Sequence, residues 1–169
     1  AVIWHDGPLA IAVSFLATFI LVLLAFSDFR SRLLMLTTLL IGIAWMGGWM
    51  TLFSMKLNFL NFVAFPIMFG NGVDYGVNVL RRYQFEVEKG LSRDAAVSAA
   101  IRGAGGAVAL CSITTVIGYM SLYASANLAI NSFGAAMGIS ELTCTLAAVL
   151  TLPAYLLWSA RREAARAKA

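Results

Sequence analysis

Apolar residues in this chain gather into long runs separated by polar breaks. Five runs come near the roughly 20 residues that a membrane-crossing helix needs. They cover about Leu9–Phe26, Leu33–Phe53, Leu57–Leu80, Gly106–Tyr123 and Ala129–Trp158. The breaks fall at Ser27–Arg32, at Ser54–Lys56, across 81–105 and around Asn127. Within 81–105, Gly90 can end a continuation of the third run, and Ser92 can cap a new helix with Asp94 in its first turn. Ala96, Val97, Ala100 and Ile101 then share one apolar stripe, which is expected to lie on the inner leaflet as a surface helix, with a merely solvated connector as the open alternative. The fifth run exceeds the hydrocarbon core, so it should tilt, bend near Pro153 or protrude. The pattern predicts an all-α polytopic membrane protein: one transmembrane domain over 1–169, with five spans, a cytoplasmic connector at 81–105 and an interfacial helix within it.

Composition agrees. The chain is 61% hydrophobic and 12% charged, against about 45–50% and 25% for soluble domains. A net charge of +4 would raise the question of nucleic acid, but the basic residues follow the breaks instead. Eleven of the twelve Lys and Arg residues fall in 27–32, in 81–105 or after Trp158, and only Lys56 lies on the other side. The positive-inside rule places the eleven in the cytoplasm, with the N-terminus outside and the C-terminus inside. Nothing before Leu9 resembles a signal peptide, so the chain reads as the C-terminal piece of something longer. Cys111 and Cys144 have no spacing suited to a disulfide framework or a metal.

The third run carries the chemistry. Asn71, Asp74, Tyr75 and Asn78 recur at i, i+3, i+4, i+7 and share a helix face. A carboxyl at mid-membrane costs roughly 2.5–3.5 kcal/mol on insertion scales, so such groups usually face protein and carry protons or ions. The bland alternative is an uncharged Asp hydrogen-bonded to a neighbouring helix. Ser112, Thr115 and Tyr119 make a second polar line in the fourth run. Gly134, Gly138, Glu141 and Thr145 make a third in the fifth. Gly72 with Gly76, and Gly134 with Gly138, are small-residue pairs that let helices approach closely.

Glu141 is a second intramembrane acid, open to two roles: a proton station, or a protonated carboxyl that pins its helix. Asp74 is 7 residues from Arg81, whereas Glu141 is 20 residues from Arg161. At the helical rise those are about 10 Å and about 30 Å from the basic ends, so the two acids are not expected to pair unless the last helix protrudes. Gly70-Asn71-Gly72 lacks the strand and third glycine of a nucleotide loop, and a lone intramembrane Asp cannot make an aspartyl protease. No enzyme is expected.

The segment Gly70-Asn71-Gly72-Val73-Asp74-Tyr75-Gly76 resembles the resistance–nodulation–division (RND) superfamily, especially its MMPL-like lipid exporters and their hopanoid-transporter (HpnN-like) branch. A second block agrees: Gly90, Ala95-Ala96-Val97, Ala100, Gly106, Thr114-Thr115, Gly118-Tyr119 and Ser121-Leu122. Together they cover about 58–122. The resemblance implies helices eight to twelve of a twelve-helix bundle, half of the RND membrane domain. It implies a proton relay in which Asp74 carries the proton and Tyr75 reaches across to helix four, with Thr115 in support. Glu141 lies outside that pattern and rests on the physical argument alone. The multidrug branch's lysine is absent from the matching helix, which argues against drug efflux.

The expected function is the C-terminal membrane half of a proton-motive-force-driven exporter of hopanoid-like lipids, moving them from the bacterial inner membrane toward the outer envelope. Its expected partners are the N-terminal half of the same transporter, the lipid substrate and the membrane, with a second copy as a further candidate and no nucleic acid. No cofactor or metal is expected beyond the proton gradient. Two alternatives stay open: a SecD/SecF-type translocation subunit, and a sterol-sensing-type regulatory module that binds lipid without moving protons.

Overall fold

The computed structural model describes residues 2–55 and 58–166, so Lys56 and Lys168 lie outside the described residues. Among the described residues every regular element is helical. Helix α1 is Val2–Ala25, α2 is Phe29–Leu52 and α3 is Phe59–Glu88, which passes through Pro66. Helix α4 (Arg93–Ala100) joins α5 (Gly106–Ser121) through a π-turn at Ile101–Gly105, and a short 3-10 turn follows at Leu122–Ala124. Helix α6 (Leu128–Leu146) joins α7 (Leu152–Arg166) through a second π-turn at Ala147–Thr151.

Local chemistry sets these ends. Asp28 caps α2 by accepting the Ser31 amide at 2.8 Å. Arg32 reaches back to the carbonyls of Phe26 (2.7 Å) and Leu23 (3.1 Å), which the end of α1 leaves open. Asn58 caps α3 and Asn127 caps α6. Gly90, at φ +91°, closes α3, and its amide donates to the Val87 carbonyl at 2.9 Å. A side chain at that φ would be strained, so glycine suits this stop. Ser92 then caps α4, with Asp94 in the first turn. Pro153 cannot donate to the carbonyl one turn back. The wide turn at Ala147–Thr151 sits immediately before it, where the sequence anticipates a bend.

Helix α3 is the hub, touching α1, α2, α4 and α6, while α6 packs on α2, α3 and α5. The core between them is rich in flexible methionines: Met35, Met46, Met68 and Met137 are all buried. The outer faces of α1 and α5 carry exposed Leu9, Val13, Leu16, Leu110, Ile113 and Ile117, an inverted pattern suited to a lipid solvent. Among the described residues, four helices are long and apolar enough to cross a membrane: Gly7–Ala25, Phe29–Leu52, Arg93–Ala124 and Leu128–Arg162. The 30-residue α3 falls outside that set, because it carries the polar stripe.

One expectation needs correcting. Of the expected stripe, Ala96, Val97 and Ala100 are buried within the protein while Ile101 stays exposed, and α4 packs on α3 and α7. No break turns α4 aside onto a leaflet: the π-turn carries it straight into α5, and α3 covers its apolar side.

Candidate functional site

The polar stripe of α3 serves two different environments. Consecutive helical residues diverge by about 100°, so Asp74 and Tyr75 point to different sides. Tyr75 is buried, and its hydroxyl donates to Glu141 Oε1 on α6. One turn earlier, Asn71 Nδ2 donates to Glu141 Oε2 at 3.0 Å. Glu141 is only 1% exposed, so both of its oxygens depend on α3. Tyr119 on α5 stands beside Asn71 and Glu141.

Asp74 is exposed instead. Asn78 donates to its backbone carbonyl at 3.0 Å and lies 3.5 Å from Oδ1. Both residues line an open cleft of about 590 Å³ between α3 and α5, which Tyr75 and Cys111 also line. Its opposite wall is made of Gly103 and Ala104 from the π-turn and Ala107, Val108 and Cys111 from α5. At its far end Arg82 forms a 2.6 Å ion pair with Glu86. A methyl on Gly103 would come within 3.1 Å of Arg82 Nε, so glycine keeps that end open to the guanidinium.

The depth estimate for Glu141 does not survive. Glu141 lies level with Asn71 and Tyr75, far closer to Asp74 than its distance from Arg161 implies. The rod from Leu128 to Arg166 runs roughly 58 Å at 1.5 Å per residue. That is nearly twice the about 30 Å hydrocarbon core, long enough for its basic end to extend beyond it. The acids still do not pair directly, since Tyr75 and Asn71 occupy the carboxyl of Glu141. Tyr75, expected from the resemblance to reach helix four of the other half, donates within this chain to Glu141 on α6.

The other polar residues divide as well. Ser112 is buried, with its hydroxyl 2.6 Å from that of Thr145, which also meets the Glu141 carbonyl at 2.9 Å. Thr115 is half-buried and donates to the Cys111 carbonyl of its own helix at 2.8 Å. The glycines sit at contacts of unequal tightness. A methyl on Gly134 would stand 2.6 Å from the Tyr119 carbonyl oxygen, while one on Gly138 would stand 3.0 Å from Met120 Sδ. One on Gly72 would come within 3.1 Å of Leu39 and 3.2 Å of Cys144 Sγ, and one on Gly76 within 2.6 Å of the Met35 methyl. Cys111 and Arg82 were absent from the sequence-based site and carried no periodic signal, whereas Thr145 was legible as part of the polar line one turn beyond Glu141.

The MMPL family model matches residues 2–169, essentially the whole chain. The chain belongs to the MMPL family. It is 27% identical over 145 residues to a membrane protein of Methanocaldococcus jannaschii, covering 86% of this chain and 37% of that one. It is 27% identical to the apo-petrobactin exporter of Bacillus anthracis over 90% of this chain and 21% of the exporter. It is 30% identical to the sulfolipid-1 exporter MmpL8 of Mycobacterium tuberculosis over 57% of this chain and 9% of MmpL8. The chain thus spans about a third or less of the length of these relatives. No solved structure gives a significant match. Membership of the family makes this a membrane protein of a transporter family rather than an enzyme.

Proposed function

We propose that this chain is the C-terminal membrane half of a proton-motive-force-driven RND exporter of lipids, with α3 as the proton-carrying helix. The observation that carries this is Asp74: an exposed carboxyl lining an open cleft, in a stretch without a basic residue from Leu57 to Leu80. Such a carboxyl can meet water, and the cations of its cleft, Arg81 and Arg82, lie seven and eight residues further along α3. Relatives named as the apo-petrobactin exporter and the sulfolipid-1 exporter MmpL8 support export as the activity, the second of them with a lipid cargo. The hopanoid-like cargo rests on the Gly70–Gly76 resemblance alone. MMPL membership favours this function over the SecD/SecF-type and sterol-sensing-type alternatives.

In this proposal α3 is the fifth span and the eleven basic residues face the cytoplasm of a bacterial inner membrane. The partners are the N-terminal half of the same transporter and the lipid, with a second copy as a further candidate. The proton gradient is the energy source, without a cofactor. Asp74→Asn in the full-length protein is the test, because Asn keeps the shape and cannot exchange a proton. The variant should insert normally and lose export of the cell's envelope lipid, as should wild type treated with a protonophore. Near-normal export by either would overturn the proposal.

A further inference from the structure

We propose that Glu141 is a second proton-binding carboxyl, exchanging protons with the Asp74 cleft through the hydroxyl of Tyr75. This deepens the proton-coupled function above and rests on it. Tyr75 occupies two places at once: it lines the cleft together with Asp74, and its hydroxyl donates to Glu141 Oε1. It is the covalently fixed link between an acid that meets the cleft and an acid sealed inside the protein.

The donor set around Glu141 suits a group that changes state. As a carboxylate, Glu141 accepts from Tyr75 at one oxygen and from Asn71 at the other. As an acid it needs an acceptor. A phenolic oxygen can accept as readily as its hydrogen can donate, and an amide turned over presents its carbonyl. Both protonation states can therefore be fully hydrogen-bonded by the same two side chains. A residue that merely pinned α6 to α3 would need only one state, and a glutamine would supply similar bonds without an ionisable group in an apolar interior.

The surrounding groups leave Tyr75 as the route. From α3 the polar and ionisable groups facing the site are Asn71 and Tyr75, with Asp74, Asn78, Arg81 and Arg82 beyond in the cleft, Arg82 already paired with Glu86. From α5 they are Tyr119 and Cys111, and α6 itself adds Cys144. Helix α2 has no ionisable side chain except Arg30 and Arg32 at its start, and the π-turn at Ala147–Thr151 has none. In the transfer, the Asp74 acid gives its proton to a water in the cleft. That water protonates the Tyr75 oxygen as the phenolic proton moves to Glu141 Oε1. Asp74 ends as a carboxylate, Glu141 as an acid, and the tyrosine and water are unchanged.

Difference infrared spectra of the full-length protein between neutral and acid pH test this directly. Two protonated-carboxyl bands should grow on acidification, one removed by Asp74→Asn and the other by Glu141→Gln. Tyr75→Phe keeps both carboxyls and removes only the bridge. It should slow the Glu141 band after a pH jump at least about tenfold and leave the Asp74 band's rate unchanged. A Glu141 band that is missing, or constant with pH, overturns the proposal, as does an unchanged rate in Tyr75→Phe. Should Glu141→Gln fail to fold, the Tyr75→Phe kinetics decide. Export that survives Asp74→Asn while the Glu141 band still responds would sink the transport function and leave the carboxyl site standing.

Discussion

Asp74 and Glu141 are both carboxyls at the same level of one helical bundle, yet they live in opposite surroundings. Asp74 lines an open cleft and holds only the loose attention of Asn78. Glu141 is sealed, with a donor on each oxygen. The difference arises on α3, whose stripe sends Asn71 and Tyr75 one way and Asp74 and Asn78 another. An intramembrane acid is thus defined by which side of its helix it occupies, and sequence depth alone is a poor guide to its partners.

The sharpest way to break this contrast is to truncate each acid. Glu141→Ala strands the buried donors of Tyr75 and Asn71, each worth about 1–3 kcal/mol when left unpaired. It should cost the full-length protein about 2–6 kcal/mol of stability in all, read as a marked fall in its thermal unfolding midpoint. Asp74→Ala removes an exposed group and should stay within about 0.5 kcal/mol. Equal losses would mean that the two environments are not distinct in the intact protein.

The glycines sharpen the same contrast between sealed and yielding contacts. Gly134→Ala drives a methyl into the Tyr119 carbonyl and the Leu122 side chain, and should cost about 1–3 kcal/mol. Gly76→Ala meets the far end of the Met35 side chain, which can swing aside, and should cost less. Thermal unfolding of the two variants ranks them, and a reversed order would contradict the packing described.

The smallest effect lies outside the membrane, at the Asp28 cap. The Ser31 hydroxyl, more than its amide, holds the Asp28 carboxyl below its usual value of 3.8, against a modest opposing effect of burial. A lowered folded value means the cap's contribution is present above 3.8 and drains away as pH falls through the lower folded value. Asp28→Asn retains a capping side chain that does not titrate. Its stability profile in acid should be slightly flatter than wild type, and identical profiles would remove the carboxylate from the cap.

Much of this was legible in the sequence because it depends on local chemistry. Gly90 stopping α3 and Ser92 starting α4 need only neighbours a few residues away. The polar stripe was legible for the same reason, since helical spacing fixes which side chains align. The partners of those side chains were not. Nothing in the spacing of Asn71, Asp74, Tyr75 and Asn78 says that a helix from 66 residues later takes Tyr75 and leaves Asp74 open. The level of Glu141 was not legible because sequence length shows that the last helix exceeds the core without showing which part of it lies beside α3. The fate of the α4 stripe was missed because π-turns leave no periodic signature, and a buried stripe and a lipid-facing one look alike.

Those π-turns have a consequence for how the sequence can vary in length. Each holds one residue more than an α-turn while the helices on either side stay aligned. Removing one residue from Ile101–Gly105 or Ala147–Thr151 restores an ordinary α-turn and keeps both flanks in phase. The same deletion elsewhere in either rod rotates everything beyond it by about 100° and unseats the partners of Glu141 or the wall of the cleft. Single-residue deletions should therefore be tolerated at these two places and rejected between them.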